Sequence, residues 1–554
     1  MENKKYIIRM TKINITSFLP WLLGFFAFIV IVGIQPLMPG NISWISDGDG
    51  ATSYLGWLFF RNTEWALPLG LNPRYGLEIS NSIVFSDSIP LLAILFKLFS
   101  AYLPDVFQYH GIWVLLSFLL HSFFAWKLIG IWSNDNLLKS FGVLILLFSP
   151  SMMFRLQIHI SLVSHFFVLA ALYYALTPEK YNRTLIWSVL LITSLGVHFY
   201  ISALVLFIFV SDSISKRLMT DNKVRIFFLE LFGFASIYLL FAWLYGYFSV
   251  IGDVATGGYS LTSMNFLSLI NPASGGWFDW SYVLRSYPQG PGQHEGFNYL
   301  GLGVIFLIVV LIPVFAEKIH LLKSLCKRYL HLLILFFILT LYSLSNIILF
   351  ADFVLFEYSL PEQIDKALSI LRGSGRLFWP VLYGIVLFSI IMVIKSFRQK
   401  VSYVLLSVAV IVQIVDTSAG WLKIQNRLHL SPLSTWGLPF HDHFWTEAAE
   451  KYSKIRYIPL ANHRHPEWQP ISYFAALNGL STDSPYLARV DMNSYFPAYD
   501  KSLNILKNGQ FESDSIYLLD DNSFKTALIN IDLGKHLATQ IDGFNVIAPF
   551  WNDR

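Results

Sequence analysis

Between residues 18 and 415 the chain repeats one pattern, a run of 14 to 25 predominantly apolar residues followed by a more polar break, long only at 40–106, 251–298 and 350–377. A helix needs roughly 20 such residues to cross a bilayer, and fewer where protein surrounds it. Eleven runs meet that description, at 18–39, 107–129, 138–153, 160–177, 184–197, 199–213, 226–250, 299–316, 330–349, 378–395 and 401–415. With 55% hydrophobic and only 13% charged residues, and a mean hydropathy of +0.54, the expected class is a polytopic α-helical membrane protein of about eleven transmembrane helices. Lys4, Lys5, Arg9 and Lys12 precede the first run without a small-residue cleavage site after it, so a retained first span is expected.

Charge placement orients the pattern. With the N-terminus inside, the inner segments carry nineteen Lys and Arg and the outer ones eight, the asymmetry that favours a cytoplasmic N-terminus. After an odd number of spans, the polar region 416–554 falls outside as a mixed α/β domain, leaving 1–415 as the membrane domain. A formal charge of +4 and no dense basic tract exclude a nucleic-acid binder. The single cysteine, Cys326, excludes an intrachain disulfide and a cysteine-based zinc cage.

The apolar stretch SIPLLAILFKLFSAYL, residues 88–103, would invert every later loop if it crossed. It is short, and Lys97 interrupts it, so it is expected to lie along the outer interface within one large outer loop, 40–106. A first span, an outer loop with acids just after it, such an interfacial helix and then a second span together resemble the C-type integral-membrane glycosyltransferases. The motifs SDGDGATSYLGWLFFRN, SIVFSDSIPLLAILFK, HEGFNYLGLG and RGSGRLFWP are similar to a bacterial group associated with O-antigen and other cell-envelope glycosylation. The resemblance covers residues 1–415 and the tail only loosely.

It implies transfer, with inversion, of a hexose such as glucose from a polyprenyl-phosphate donor to a hydroxyl of lipopolysaccharide, O-antigen or another envelope glycan. The implied location is the periplasmic face of a bacterial inner membrane, with membrane lipids as the other partners. A lipid-linked sugar flippase or an O-antigen polymerase or ligase is the alternative. Transfer needs a base near the acceptor hydroxyl and positive charge near the departing phosphate. Asp49, and secondarily Asp47, are the candidates for the base, the part that an acid of the first outer loop plays in this class. Asp-Gly-Asp-Gly also reads as a turn. Asp87 reads either as the cap of the interfacial helix or as a second acid facing the acceptor. A lipid monophosphate donor needs no metal, so no cofactor is expected, although a divalent metal is compatible.

Further polar residues stand out at the outer ends of apolar runs, where their cost makes them functional candidates. Arg155 and His159 follow the third run, and His198 lies between the fifth and sixth. Glu295 precedes the eighth, as substrate contact or helix cap. Arg372 and Arg376, four apart in LRGSGRLFWP, would share a helix face and meet a phosphate. Trp277, Trp280, Tyr282 and Tyr287 read as interface anchors that are also suited to stacking on sugars. The pairs His441/His443 and His463/His465 lack the flanking ligands of a metal site and read as surface histidines.

Overall fold

The structure, a computed structural model, describes residues 15–553 apart from 80, 178–180, 251–258, 431–433, 463 and 464. The basic N-terminal residues Lys4, Lys5, Arg9 and Lys12, and His463, lie outside the described residues.

Helices occupy most of the apolar runs, but fewer of them are long than the runs suggest. Among the described residues, five are long and apolar enough to cross a membrane: His110–Ile129, Phe199–Thr220, Val224–Tyr245, Ser374–Ser396 and Gln399–His429. A sixth is reached only if Leu302–Glu317 and Ile319–Arg328, bent by 100° at Lys318, count as one. The other apolar helices, Leu19–Ile31, Asn136–Leu147, Ile160–Leu176, Arg183–Leu195 and Leu330–Leu344, have 10–17 residues. The expectation of eleven spans is therefore corrected to five or six candidate spans among the described residues. The reason is that apolar runs outlast their helices. Leu19–Ile31 ends before Gly33, whose φ of 79° no helix accommodates, and Pro36 follows. Asn136–Leu147, capped by Asp135 through the N–H groups of Leu137 and Leu138, stops before a new turn opened by Pro150. At about 1.5 Å per residue, 13 residues span about 20 Å, short of a roughly 30 Å hydrocarbon core.

Small residues let the helices meet. A Cβ on Gly24 would lie 2.8 Å from the Phe118 carbonyl oxygen, so only glycine allows Leu19–Ile31 to approach His110–Ile129 this closely. Val224–Tyr245 turns Phe228, Leu229, Phe232, Leu239 and Leu240 outward, an apolar face suited to lipid.

The segment after the first helix is more ordered than a flexible loop. Gly48–Arg61 is a helix, buried from Ala51 onward, and Asp47 occupies its N-cap position without a side-chain cap bond. The stretch expected at the interface contains the helix Pro90–Lys97, with Leu95, Leu98 and Phe99 exposed beside it. Lys97 itself is buried, its ammonium 4.1 Å from the centre of the Phe60 ring and 4.5 Å from that of Trp65. Arg61 is also buried, donating to the carbonyls of Pro104 and Asp105, which fixes the end of this segment.

A small hairpin, β1 (Ile347–Phe350) and β2 (Phe353–Glu357), follows the helix Leu330–Leu344. The remaining strands, β3 (Lys454–Ile458), β4 (Ser481–Thr482), β5 (Ser515–Leu519), β6 (Leu537–Ile541) and β7 (Phe544–Ala548), form one mixed sheet in the order β4-β3-β5-β7-β6. Pairing is parallel from β4 to β5 and antiparallel from β5 to β6. With the helices His443–Lys451, Trp468–Leu477, Met492–Asn508 and Asp521–Asn530, this makes the C-terminal region an α/β domain. Its connection is the helix Gln399–Leu430, which runs beyond residue 415 without a break.

The domain seats on the segment 40–106. Arg456 reaches Glu78 at 2.7 Å, Glu512 at 3.2 Å and Asp483 at 3.4 Å, and Trp436 donates to the Ile42 carbonyl at 2.8 Å. The histidines read as surface residues divide. His443 pairs with Glu447 on the surface, whereas His465 is buried and stacked on Tyr457, with ring centres 3.8 Å apart, so the surface reading of His465 is corrected.

Candidate active site

Seven of the nine ionisable residues proposed from sequence for the site converge at the end of the bundle where the C-terminal domain sits. Two come from the segment after the first helix. Gly56 allows the helix Gly48–Arg61 to press against Ser86 and Ser88, leaving no room for a Cβ. Ser53 then donates to the Asp87 carbonyl at 2.9 Å, and Ser88 donates back to the Ser53 carbonyl at 2.7 Å. This lacing brings Asp49, in the first turn of that helix, beside Asp87.

Asp87 does not cap the helix Pro90–Lys97, whose N-cap position is Ile89. It adopts a left-handed backbone with φ 54°, and its carboxylate turns to two histidines. His198 Nε2 lies 3.3 Å from Oδ1, and His159 Nδ1 lies 3.2 Å from Oδ2. His198 Nδ1 accepts the Tyr200 backbone N–H at 3.1 Å, which leaves its proton on Nε2 facing Asp87. His159, also left-handed at φ 58°, is the centre of the arrangement. Its Nδ1 is 3.4 Å from Asp49 Oδ2 as well, and its Nε2 is 3.1 Å from Glu295 Oε1. Two non-glycine residues held in a sparsely populated backbone region, both with side chains in one cluster, are typical of a functional site.

Glu295 is not a helix cap either. It sits in the turn Gln293–Gly296, which packs against the turn Ser374–Phe378 so closely that Gly375 has no space for a Cβ beside Gly296. Its carboxylate takes Arg155 Nη1 at 2.6 Å on Oε2, and Arg376 through Nε at 2.9 Å and Nη2 at 2.7 Å. Arg155 adds a bond to the Glu295 carbonyl at 3.1 Å and is fully buried. Arg376 packs over Tyr200, 4.7 Å from the ring centre.

Three carboxylates thus face two guanidinium groups and two imidazoles, and their proton affinities separate. For Asp49, burial pushes the pKa up; His159 opposes this, and Asp87 and Glu295 reinforce it, leaving it above the ordinary 3.8. Burial would raise Asp87 too, but His198 and His159 hold it well below the carboxylate range. Glu295 is held low against its burial by Arg376, Arg155 and His159. Burial alone would lower His159, yet Asp49, Glu295 and Asp87 bring it up to about 9. At neutral pH the centre is an imidazolium with both N–H groups directed at carboxylates. Asp49 keeps 26% of its side chain exposed, the most open of these groups.

Two expected members are elsewhere. Asp47 is 74% exposed and lies 3.7 Å from Arg427, outside the cluster. Arg372 does not share a face with Arg376, because the intervening residues form a tight turn rather than an α-helix, and it faces the C-terminal domain. Trp280 is buried among Phe154 and Phe297 and is not an interface anchor, whereas Trp277, Tyr282 and Tyr287 are exposed. Sequence reasoning missed Tyr200, whose hydroxyl accepts the Gly373 N–H at 2.6 Å and ties the two arginine-bearing turns to the cluster. Its neighbour His198 was the only signal for it. Among the described residues, no three His, Cys, Asp or Glu side chains are arranged to hold a metal ion.

A family described as "Domain of unknown function (DUF6311)" matches residues 21–418, and one described as "DUF6311 C-terminal domain" matches residues 444–549. No curated protein and no solved structure matches the chain.

Proposed function

The chain belongs to the DUF6311 family, and from that premise, which brings no activity with it, we propose that it is a membrane glycosyltransferase of the C-type architecture. It moves a hexose from a polyprenyl-phosphate donor to a hydroxyl of O-antigen, lipopolysaccharide or another envelope glycan. The observation that carries this reading is the pair Asp49 and Asp87 on one imidazolium, both half-buried, with Asp49 the more open at 26% against 15% and its pKa raised, and Asp87 held ionised.

A general base works best when its pKa approaches the working pH, and Asp49 is the carboxylate moved in that direction. In the proposed step Asp49 takes the proton of the acceptor hydroxyl as its oxygen attacks the anomeric carbon. The bond from that carbon to the phosphate oxygen breaks on the opposite side, and the lipid phosphate leaves with the electron pair. His159 holds Asp49 in place and keeps it ionised, while Asp87 and Glu295 hold His159.

The setting supports the same reading. Asp49, Asp87, Arg155, His159, His198, Glu295 and Arg376 all lie at helix ends or in loops beside the C-terminal domain. The opposite helix ends and the segments that join them carry Lys216, Arg217, Lys223, Lys318, Lys323 and Arg398. A basic end of this kind favours the cytoplasmic side by the positive-inside rule, which supports a reading with the cluster and the C-terminal domain in the periplasm of a bacterial inner membrane. A flippase would need ionisable groups along a path through the bundle. Those at the basic end are instead paired with one another, Arg183 with Asp212 and Glu230, and Arg217 with Glu230.

The test is sugar transfer by purified protein in nanodiscs, with a panel of polyprenyl-phosphate hexoses and envelope polysaccharide, comparing wild type with Asp49→Asn. Transfer by wild type and its loss in a folded Asp49→Asn protein is the expected result. Wild-type activity that survives the substitution would remove Asp49 as the base, and no transfer from any donor would overturn the reaction class.

A further inference from the structure

Arg155 and Arg376 both bind Glu295, and with His159 their three charges face the three carboxylates Glu295, Asp49 and Asp87, so the cluster as a whole has no positive charge to spare for an anionic ligand. Arg372 differs. Its Nη2 donates to the Ala488 carbonyl of the C-terminal domain at 3.1 Å, and the next residue there, Arg489, donates Nη2 to the Ile370 carbonyl at 2.6 Å. Each guanidinium spends one N–H on the backbone of the other domain, out of the five it carries. These reciprocal bonds hold two cations together across the seam between the bundle and the C-terminal domain.

The seam borders the acidic cluster. The Ala488 N–H donates to the Phe85 carbonyl at 2.8 Å, two residues before Asp87. Tyr486 lies within the electrostatic reach of Asp49, Asp87 and Arg372 together. Tyr200, already packed under Arg376, is felt by Arg489 as well.

Among the described residues, neither Arg372 nor Arg489 forms a salt bridge, and the two charges lie close enough to repel one another. Both bonds are at an exposed position, so the remaining N–H groups are reachable. Two adjacent guanidinium groups without a carboxylate between them form a fork suited to phosphate oxygens. We propose that Arg372 and Arg489 form one phosphate-binding site, built half by each domain, for the phosphoryl group of a lipid or of a soluble phosphate. The C-terminal domain thereby supplies a ligand-binding residue directly. The proposal deepens the transferase reading and rests on it only for the role of the phosphate as leaving group.

The experiment is binding of farnesyl phosphate, farnesol and inorganic phosphate to the full-length protein in phosphatidylcholine nanodiscs, without any sugar acceptor. Wild type should bind farnesyl phosphate at least tenfold more tightly than farnesol. Loss of a charge-assisted bond in Arg489→Gln or Arg372→Gln should weaken that binding roughly tenfold or more. Arg489→Lys, which keeps the charge, should recover most of it. Displacement of farnesyl phosphate by inorganic phosphate at comparable concentration would make the natural ligand a soluble anion; failure to displace it would make it a lipid headgroup, and the site stands in both cases. Thermal unfolding of each variant establishes that it is folded, and should Arg489→Gln fail to fold, Arg372→Gln carries the same expectation.

Equal affinities for farnesyl phosphate and farnesol, or folded glutamine variants that bind like wild type, would overturn the site. Phosphate binding through these arginines in a protein that never transfers sugar would sink the transferase reading and leave the site. Asp49-dependent transfer with phosphate affinity indifferent to both arginines would do the reverse.

Discussion

Glu295→Gln is the substitution that tests the charge arrangement most directly, because it removes one negative charge and leaves the shape almost unchanged. Glu295 is 10% exposed and holds Arg155, which is 0% exposed, and Arg376, which is 7% exposed, so little solvent screens the loss. Removing one partner of a buried ion pair costs about 3–5 kcal/mol, because the remaining charge stays buried without compensation. Two guanidinium groups lose their anion here, which puts the expected cost at the upper end of that range. Against a net stability on the order of 5–15 kcal/mol for a folded domain, such a loss is large. Glu447→Gln is the control, since Glu447 is 46% exposed and its pairs with His443 and Lys451 are on the surface. Exposed pairs of that kind contribute roughly 0–1 kcal/mol. The assay is thermal unfolding of both variants in one detergent, followed by intrinsic fluorescence. Glu295→Gln should lower the midpoint by several degrees and Glu447→Gln by almost nothing. Equal midpoints for Glu295→Gln and wild type would refute the reasoning, since Arg155 and Arg376 would then not depend on this carboxylate.

Three further outcomes follow from the same geometry. The pH profile of transfer should be a bell, rising as Asp49 ionises above its ordinary 3.8 and falling as His159 loses its proton near 9. Because the folded pKa of His159 is raised, its contribution to stability is complete below its ordinary 6.5 and is lost as pH rises through about 9. His159→Gln should therefore flatten the wild-type decline in unfolding midpoint over that interval, and an unchanged decline would remove His159 from the account. Asp47→Asn should keep transfer within a fewfold of wild type, since Asp47 is 74% exposed and touches only the rim through Arg427; abolished transfer would show that Asp47, not Asp49, is the base.

The site was more legible in the sequence than the helices were. An ionisable residue at the edge of an apolar run is conspicuous whatever the fold, because its burial has to be compensated. Asp49, Asp87, Arg155, His159, His198, Glu295 and Arg376 were visible in that way, although nothing in their spacing said that His159 would join the acids. Where a helix ends within an apolar run is a different matter. It depends on backbone conformation at positions such as Gly33 and on where a turn such as Pro150 begins, and hydropathy is blind to both. The separation of Arg372 from Arg376 has the same origin, since a spacing of four places residues on one face only in an α-helix.

The helix Gly48–Arg61 was the element that sequence concealed most completely, and the reason bears on how the site is held. Its first residues, GDGATS, have weak intrinsic helix preference, so the element depends on what it packs against. On one side it is laced to the Asp87 loop through Gly56, Ser53 and Ser88. On the other it meets the C-terminal domain, where the Tyr54 ring lies 5.2 Å from that of Trp436 and 6.5 Å from that of Tyr473. Asp49 is one turn from Tyr54 on a helix that these two surfaces clamp. Its carboxylate stands 3.4 Å from His159 on a helix to which both surfaces contribute packing. The continuous helix Gln399–Leu430 and the Arg456 contact with Glu78 are the parts that keep the C-terminal domain seated. On this reasoning the polar domain at the end of a membrane bundle is a structural component of the acid cluster, and the seam between them is where a ligand would be sensed by both.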